Sequence, residues 1–263
     1  MENFTDGALT PEERRGLPAR LARRIRANAR LIVVLACLAL FLFLLEDVLS
    51  SETMRIDVWA YWLFVQKLRH SWLTPAMMGF SALGNAVVLI VLLLVIAAFA
   101  PGRRPGWCCA VNLVLSSLLN VGIKMLVQRP RPVGFRLIEE TGFSFPSGHS
   151  MMAMAFFGLI VWLVWHYERD RRQRLLLSGA FAVVIVMIGV SRIYLGVHYA
   201  SDVLGGFAAA LIWLALYTRL AVPLFLGEPV VEGIEGHEVG VGRHPGEVPP
   251  ASAAGGAGQG SRG

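Results

Sequence analysis

An all-α bundle of six transmembrane helices, with an interfacial helix between spans 1 and 2, is the fold this sequence predicts. Three observations carry that prediction. Of the 263 residues, 56% are hydrophobic and the mean hydropathy is +0.59, a composition too apolar for one soluble core of this length. Several apolar runs approach the ~20 residues a helix needs to cross a bilayer. Charged residues gather between those runs and at their ends rather than within them.

The elements follow in chain order. Residues 1–29 form a basic segment, with Arg14, Arg15, Arg20, Arg23, Arg24 and Arg26 leading to Arg30 and the first apolar run, 30–49. That flank is too long for a secretory leader, and no small-residue cleavage site follows the run, so it reads as a retained anchor. Residues 56–73 hold Trp59, Tyr61, Trp62 and Trp72 with Lys67 and Arg69. This segment is too short and too charged to cross, and it suits an interfacial helix at headgroup depth. Its aromatic belt fits either anchoring or substrate access, and both readings stay open. Further spans are expected at 77–100, 106–127, 149–167, 175–195 and 199–226, closing a membrane domain over 30–226. Beyond Gly227, five glutamates, several prolines and a Gly/Ala/Ser run cannot bury a core, so 227–263 is expected to be a disordered cytoplasmic tail.

Charge sets the orientation. The N-terminal segment and the 2–3 and 4–5 connections hold 13 arginines, whereas the opposite connections hold Arg55, Lys67, Arg69, Arg129 and Arg136 outside the motifs described below. The bias puts both termini in the cytoplasm of a cell (inner) membrane and the far ends of spans 3 and 5 at the periplasm or exterior. The net charge of +6 therefore reflects topology and anionic headgroups, not nucleic acid; no basic and aromatic interleaving accompanies it. Cys37, Cys108 and Cys109 have neither disulfide nor metal-site spacing and read as small packing residues.

Three short patterns carry the chemistry, all at the outer ends of spans: Lys124 with Arg131-Pro132, Pro146-Ser147-Gly148-His149, and Ser191-Arg192 followed by His198 and Asp202. Ionisable groups at membrane depth are costly and point to function. His198 and Asp202 are four apart and share one face if span 6 begins near them; a carboxylate on one imidazole nitrogen leaves the other free as a nucleophile. His149 follows a turn in which Ser147 is a candidate N-cap and Gly148 allows close backbone approach to a ligand. Helix-start amides attract an anion, and a histidine beside them serves as acid and then base. Lys124, Arg131 and Arg192 offer three cations to a group with three free oxygens. Arg136 reads as a loop residue meeting headgroups, and Arg129 stays open. The nearest acidic pair is Glu139-Glu140, not a Mg²⁺ cluster. A reaction through a phosphohistidine with no metal and no cofactor follows.

These patterns resemble the type-2 phosphatidate phosphatase superfamily, the lipid phosphate phosphatases, whose motif set is shared with vanadium haloperoxidases. The match is complete at Lys124, Arg131, Pro132, Pro146, Ser147, Gly148, His149, Ser191, Arg192, His198 and Asp202. The resemblance implies catalysis by His198, His149 and Asp202: His198 attacks phosphorus, Asp202 orients it, and His149 protonates the leaving oxygen and then activates water. It implies that Lys124, Arg131, Ser147, Gly148 and Arg192 hold the phosphate. The substrates implied are membrane lipid phosphates such as phosphatidylglycerol phosphate, undecaprenyl diphosphate or phosphatidate. A lipid phosphotransferase or a non-hydrolytic phospholipid transporter using the same pocket is the alternative. The motifs select neither one lipid nor an oligomeric state.

Overall fold

Within hydrocarbon a single chain segment satisfies all its backbone N–H and C=O groups only as a helix, and the apolar runs obey that constraint. The computed structural model describes residues 11–50, 54–99 and 104–226, and no strand occurs among them. The helices are α1 (Pro11–Leu49), α2 (Arg55–Ala60), α3 (Thr74–Leu83), α4 (Ala86–Phe99), α5 (Arg104–Val127), α6 (Gly148–Tyr167), α7 (Arg171–Tyr194), α8 (Ala200–Leu220) and α9 (Val222–Leu226), with a π-helical stretch at Tyr61–Lys67. Ala27–Leu49 of α1 and all of α5, α6, α7 and α8 are long and apolar enough to cross a membrane, and the bent pair α3–α4 makes a sixth span. The chain is a multi-pass membrane protein. The tail expected over 227–263 and residues 1–10 of the basic segment lie outside the described residues.

Two elements carry detail beyond the expected pattern. The second span is not one straight helix over 77–100: α3 and α4 meet at Gly84-Asn85 with a bend of 57°. The cause is local. Asn85 caps α4, its side-chain oxygen accepting the Val87 N–H at 2.9 Å, and a Cβ at Gly84 would lie 2.7 Å from Ile188 and 3.3 Å from the His149 ring. The interfacial segment is likewise not one regular helix. After α2 the backbone widens to a π turn, with Leu68 N–H bonded to the Leu63 carbonyl at 2.9 Å, and Trp59, Trp62 and Trp72 stay exposed on it. Its other face carries Ala60 and Phe64 onto Ile193, Ala200 and Val203.

Helix α8 is the most enclosed of the spans and α1 the least; α8 packs against α1 and α6, and α6 packs in turn on α5 and α7. Phe156, Leu159, Ile185, Ile188 and Leu89 fill the centre, with Cys108 and Cys109 buried among them as small apolar residues. Polar side chains stitch the spans together: Asn112 donates to the Ala155 carbonyl and accepts from Trp213 Nε1, both at 2.8 Å. The Tyr217 hydroxyl donates to the Cys108 carbonyl at 2.6 Å. Such interhelical bonds contribute about 0.6 kcal/mol each in lipid, enough to select one packing among similar apolar ones. Gly206 brings α8 against the start of α6, where a Cβ would meet the Ser147 carbonyl at 2.8 Å.

Candidate active site

Alternation of the spans gathers the ends of α5 and α7 and the starts of α6 and α8 on one side of the bundle, and the 128–147 connection folds over them. Its bends leave the chain with few regular hydrogen bonds, so side chains from the spans hold it. Lys124 Nζ donates to the Phe143 carbonyl at 2.6 Å, and Asn120 Nδ2 donates to the Pro146 carbonyl at 3.3 Å. Ser147 N–H donates to the Asp202 carbonyl at 2.9 Å, which ties the start of α6 to that of α8.

His198 lies in the turn before α8, two residues ahead of its first helical position. It therefore reaches Asp202 across a helix start rather than along a helix face, which corrects the shared-face expectation. Nδ1 lies 3.2 Å from Asp202 Oδ2, and that oxygen also accepts from Tyr199 N–H at 2.9 Å and from the Ser144 hydroxyl. Arg131 Nη1 lies 3.0 Å from His198 Nε2. A guanidinium has only donors to offer, so Nε2 must be the acceptor and Nδ1 carries the proton. The tautomer follows from the two partners, and the Nε2 lone pair is held by Arg131. Burial pulls the His198 imidazole down to about 4; Asp202 works against that shift, and Arg131 and Arg192 add to it. The ring is neutral near pH 7.

The cations converge from separate elements. Arg131 is fastened by three carbonyls, those of Gly142 at 3.0 Å, Thr141 at 3.1 Å and Val197 at 3.1 Å. Arg192, 1% exposed, donates to the Ser81 hydroxyl at 2.5 Å and pairs with Glu140 Oε1. Its Nε is buried without a partner. Glu140 Oε2 also lies 3.8 Å from Arg131, so one carboxylate spans two of the three cations. Burial pushes the Glu140 carboxyl up, but the Arg192 guanidinium prevails and holds it below its ordinary value.

At the start of α6, Ser147 occupies the N-cap position but makes no capping bond; its hydroxyl accepts from Ser150 at 3.0 Å. The amides of residues 148–150 therefore lack an acceptor within the helix. The expectation that Gly148 faces a ligand is qualified by Asn120, whose Oδ1 would lie 3.2 Å from a Cβ there. His149 is half-buried and lies within electrostatic range of Arg192, Glu140, His198 and Arg131. The structure thus brings together His198, Asp202, His149, Lys124, Arg131, Arg192, Ser147 and Gly148. Among the described residues, no three His, Cys, Asp or Glu side chains gather to hold a metal.

Arg136 turns back onto the Pro132 carbonyl. Arg129, left open by the sequence, bonds Asp202 Oδ1 at 2.6 Å and Asp57 at 3.0 Å. Sequence reasoning missed Ser144, Ser81, Asn120 and Asp57, and named Glu140 only as half of an acidic pair. The lone Asp57 in an aromatic segment was a signal for one of these partners, as the repeat Arg129-Pro130-Arg131-Pro132 was for Arg129; nothing in the sequence marks Ser81.

Comparison with known proteins places the chain in a family. Residues 105–224 match the PAP2 superfamily. Phosphatidylglycerophosphatase B of Bacillus subtilis (strain 168) is 36% identical over 149 residues, 55% of this chain and 73% of that protein. Lipid A 1-phosphatase of Rhizobium johnstonii is 31% identical over 119 residues, 41% of this chain and 44% of that one. The crystal structure of the transmembrane PAP2 type phosphatidylglycerolphosphate phosphatase from Bacillus subtilis superposes with a TM-score of 0.62 at 32% identity, over 70% of this chain and 94% of that one. With a shared fold, a relative matched over most of its length and a complete motif set at one end of the bundle, the chain belongs to the PAP2 superfamily of type-2 phosphatases.

Proposed function

We propose that the protein is an integral membrane lipid phosphatase that removes a terminal phosphate through a phosphohistidine at His198. One observation carries this reading: His198 Nε2, its tautomer fixed by Asp202 and its lone pair held by Arg131 Nη1, sits beside the cation cluster of Lys124, Arg131 and Arg192. A phosphate there replaces the Glu140 carboxylate as the partner of the arginines and draws Arg131 Nη1 off His198 Nε2, which frees the lone pair for attack. Nε2 attacks phosphorus, the N–P bond forms as the P–O bond to the lipid breaks, and His149 gives its proton to the departing oxygen. Asp202 stabilises the positive charge that develops on the phosphorylated imidazole. His149 then takes a proton from water, whose oxygen attacks phosphorus; the N–P bond breaks and inorganic phosphate leaves. Positioning and charge stabilisation supply most of what phosphoryl transfer needs.

No metal is invoked, because the nearby carboxylates are already committed: Asp202 and Asp57 to Arg129, Glu140 to Arg192. The arginine bias favours a site facing the periplasm or exterior of the cell membrane. Phosphatidylglycerol phosphate is the first substrate to test, given the similarity to phosphatidylglycerophosphatase B, with undecaprenyl diphosphate and phosphatidate next. The assay is phosphate release from each lipid in detergent, with and without chelator, alongside trapping of an acid-labile, base-stable phosphoprotein. No release from any of the three overturns the reading. Phosphate found on an acceptor instead identifies a phosphotransferase, and loss of activity with chelator removes the metal-free mechanism.

A further inference from the structure

Helix α8 begins at a tyrosine N-cap whose side chain makes no capping hydrogen bond, although helix starts carry unpaired N–H groups that need acceptors. Asp57 of α2 supplies the acceptor from a distant part of the chain. Its Oδ1 accepts the Ser201 backbone N–H at 2.8 Å, and its Oδ2 accepts the Ser201 hydroxyl at 2.7 Å. Oδ2 also accepts from Arg129 Nη2 at 3.0 Å. The same guanidinium turns Nη1 onto Asp202 Oδ1 at 2.6 Å and onto the Ser201 oxygen at 2.7 Å, with its plane 4.2 Å from the Tyr199 ring centroid.

Asp202 is thereby divided between two tasks. Oδ1 belongs to Arg129, while Oδ2 serves His198, Tyr199 and Ser144. Rotation of that carboxylate breaks both sets at once. Asp57 and Asp202 are buried and Arg129 nearly so, so water is a poor substitute for any of these partners.

We propose that Arg129 and Asp57 are positioning residues for the reaction: together they fix the rotation of the Asp202 carboxylate, and through it the aim and tautomer of His198. The hydrogen bonds of both residues go to Ser201, Asp202 and each other, none to Lys124, Arg131 or Arg192. The short helix α2 at the membrane surface thus becomes a working part of the site rather than an anchor alone. This inference rests on the phosphatase reading above.

The test compares wild type with Arg129→Gln, Arg129→Lys and Asp57→Asn in detergent. It measures phosphate release from the preferred lipid across pH and the rise in melting temperature caused by vanadate, a phosphate mimic. Arg129→Gln is expected to lower kcat by about 100-fold and Asp57→Asn by about 10-fold, with KM within about threefold of wild type, because the phosphate ligands are untouched. Arg129→Lys recovers part of the loss, since an ammonium keeps the charge but spans fewer acceptors. His198 is faced by Asp202, Arg131, Arg192 and His149. Removing the cation that offsets Asp202 makes its surroundings more negative, so the acid limb of kcat/KM moves to higher pH in Arg129→Gln. Vanadate still stabilises each variant.

Wild-type kcat and an unmoved acid limb overturn the inference. So does a loss confined to KM with the vanadate effect gone, which marks a scaffold role only. If Arg129→Gln fails to fold, Arg129→Lys and Asp57→Asn decide by the same readouts. A wild-type protein that releases no phosphate refutes the phosphatase reading instead; an active wild type indifferent to these substitutions refutes this inference alone.

Discussion

On one side of the cup, the 129–144 connection and the turn before α8 tie each polar group to several partners: Arg131 to three carbonyls, Asp202 to Arg129, His198, Tyr199 and Ser144. On the other side, at the start of α6, the His149 side chain forms no hydrogen bond to any described residue and packs against the bare backbone of Gly84. The contrast fits the two different duties proposed above for His198 and His149. A nucleophile serves one atom along one line of attack, so a saturated wall that fixes its tautomer costs nothing in versatility. An acid that becomes a base must meet a leaving oxygen first and a water later, and a ring held by fixed partners would have to break them each time.

The largest expected effect lies on the saturated side. His198→Ala should lower phosphate release by about four orders of magnitude or more, as removal of a covalent nucleophile does elsewhere, while the purified protein keeps its melting transition. Activity near wild type would remove the nucleophile from this position and leave the saturated wall without a catalytic purpose.

His149→Ala on the open side should cost less, about 10²–10⁴-fold with a lipid alkyl phosphate. An aryl phosphate separates the two duties of this residue. Its leaving oxygen needs no proton, so the burst of phenolate from the first step should persist, while steady-state turnover stays slow for want of a base. A variant that loses the burst as well would place His149 in phosphate binding rather than proton transfer.

Acidity probes the same contrast without mutation. Burial holds His198 down to about 4, below the ordinary value of about 6.5. The proposed nucleophile therefore stays unprotonated as pH falls from 7 to about 5, and its contribution to kcat/KM is expected to decline only as pH passes through about 4. Stability follows the same sign: between about 6.5 and 4 the unfolded chain binds a proton at His198 that the folded chain refuses, so stability drops as pH falls through that window. A His198 titration near 6.5, followed by NMR of the labelled imidazole, would mean that water reaches this wall.

Much of the membrane architecture was legible from the chain. Length and apolarity mark each span, because a lipid solvent demands long uninterrupted helices. What escaped was local. Gly84-Asn85 is an ordinary turn signal, but it stands between a Met/Phe/Ala/Leu stretch and a run of valine and leucine and is easily absorbed into one span. The π turn at Tyr61–Lys67 leaves no trace in the pattern of aromatic residues. Within the site, the residues legible in advance were those whose chemistry is rare in a membrane: His149, His198, Asp202, Lys124 and Arg192. Their supports were harder to see. Ser81 and Ser144 are common polar residues whose meaning depends on a partner 111 or 58 positions away. Asp57 was visible as a lone acid, but its task, capping a helix 144 positions later, exists only in three dimensions.

The smallest expected effect concerns the carboxylate that bridges the two sides. Glu140 spans Arg192 and Arg131, and in the proposed reaction an incoming phosphate displaces it. Glutamine keeps the shape and an acceptor oxygen but surrenders the charge that holds the arginines. Because Glu140 remains 24% exposed, its pairing is partly screened and contributes about 1 kcal/mol or less. Glu140→Gln should therefore tighten inhibition by inorganic phosphate about two- to fivefold, consistent with that energy. It should slow turnover if phosphate release limits kcat, and leave the His198 titration nearly where it was. Weaker phosphate inhibition in this variant would reverse the assignment: Glu140 would then aim Arg192 at the phosphate, and the open side of the cup would prove as dependent on fixed partners as the other.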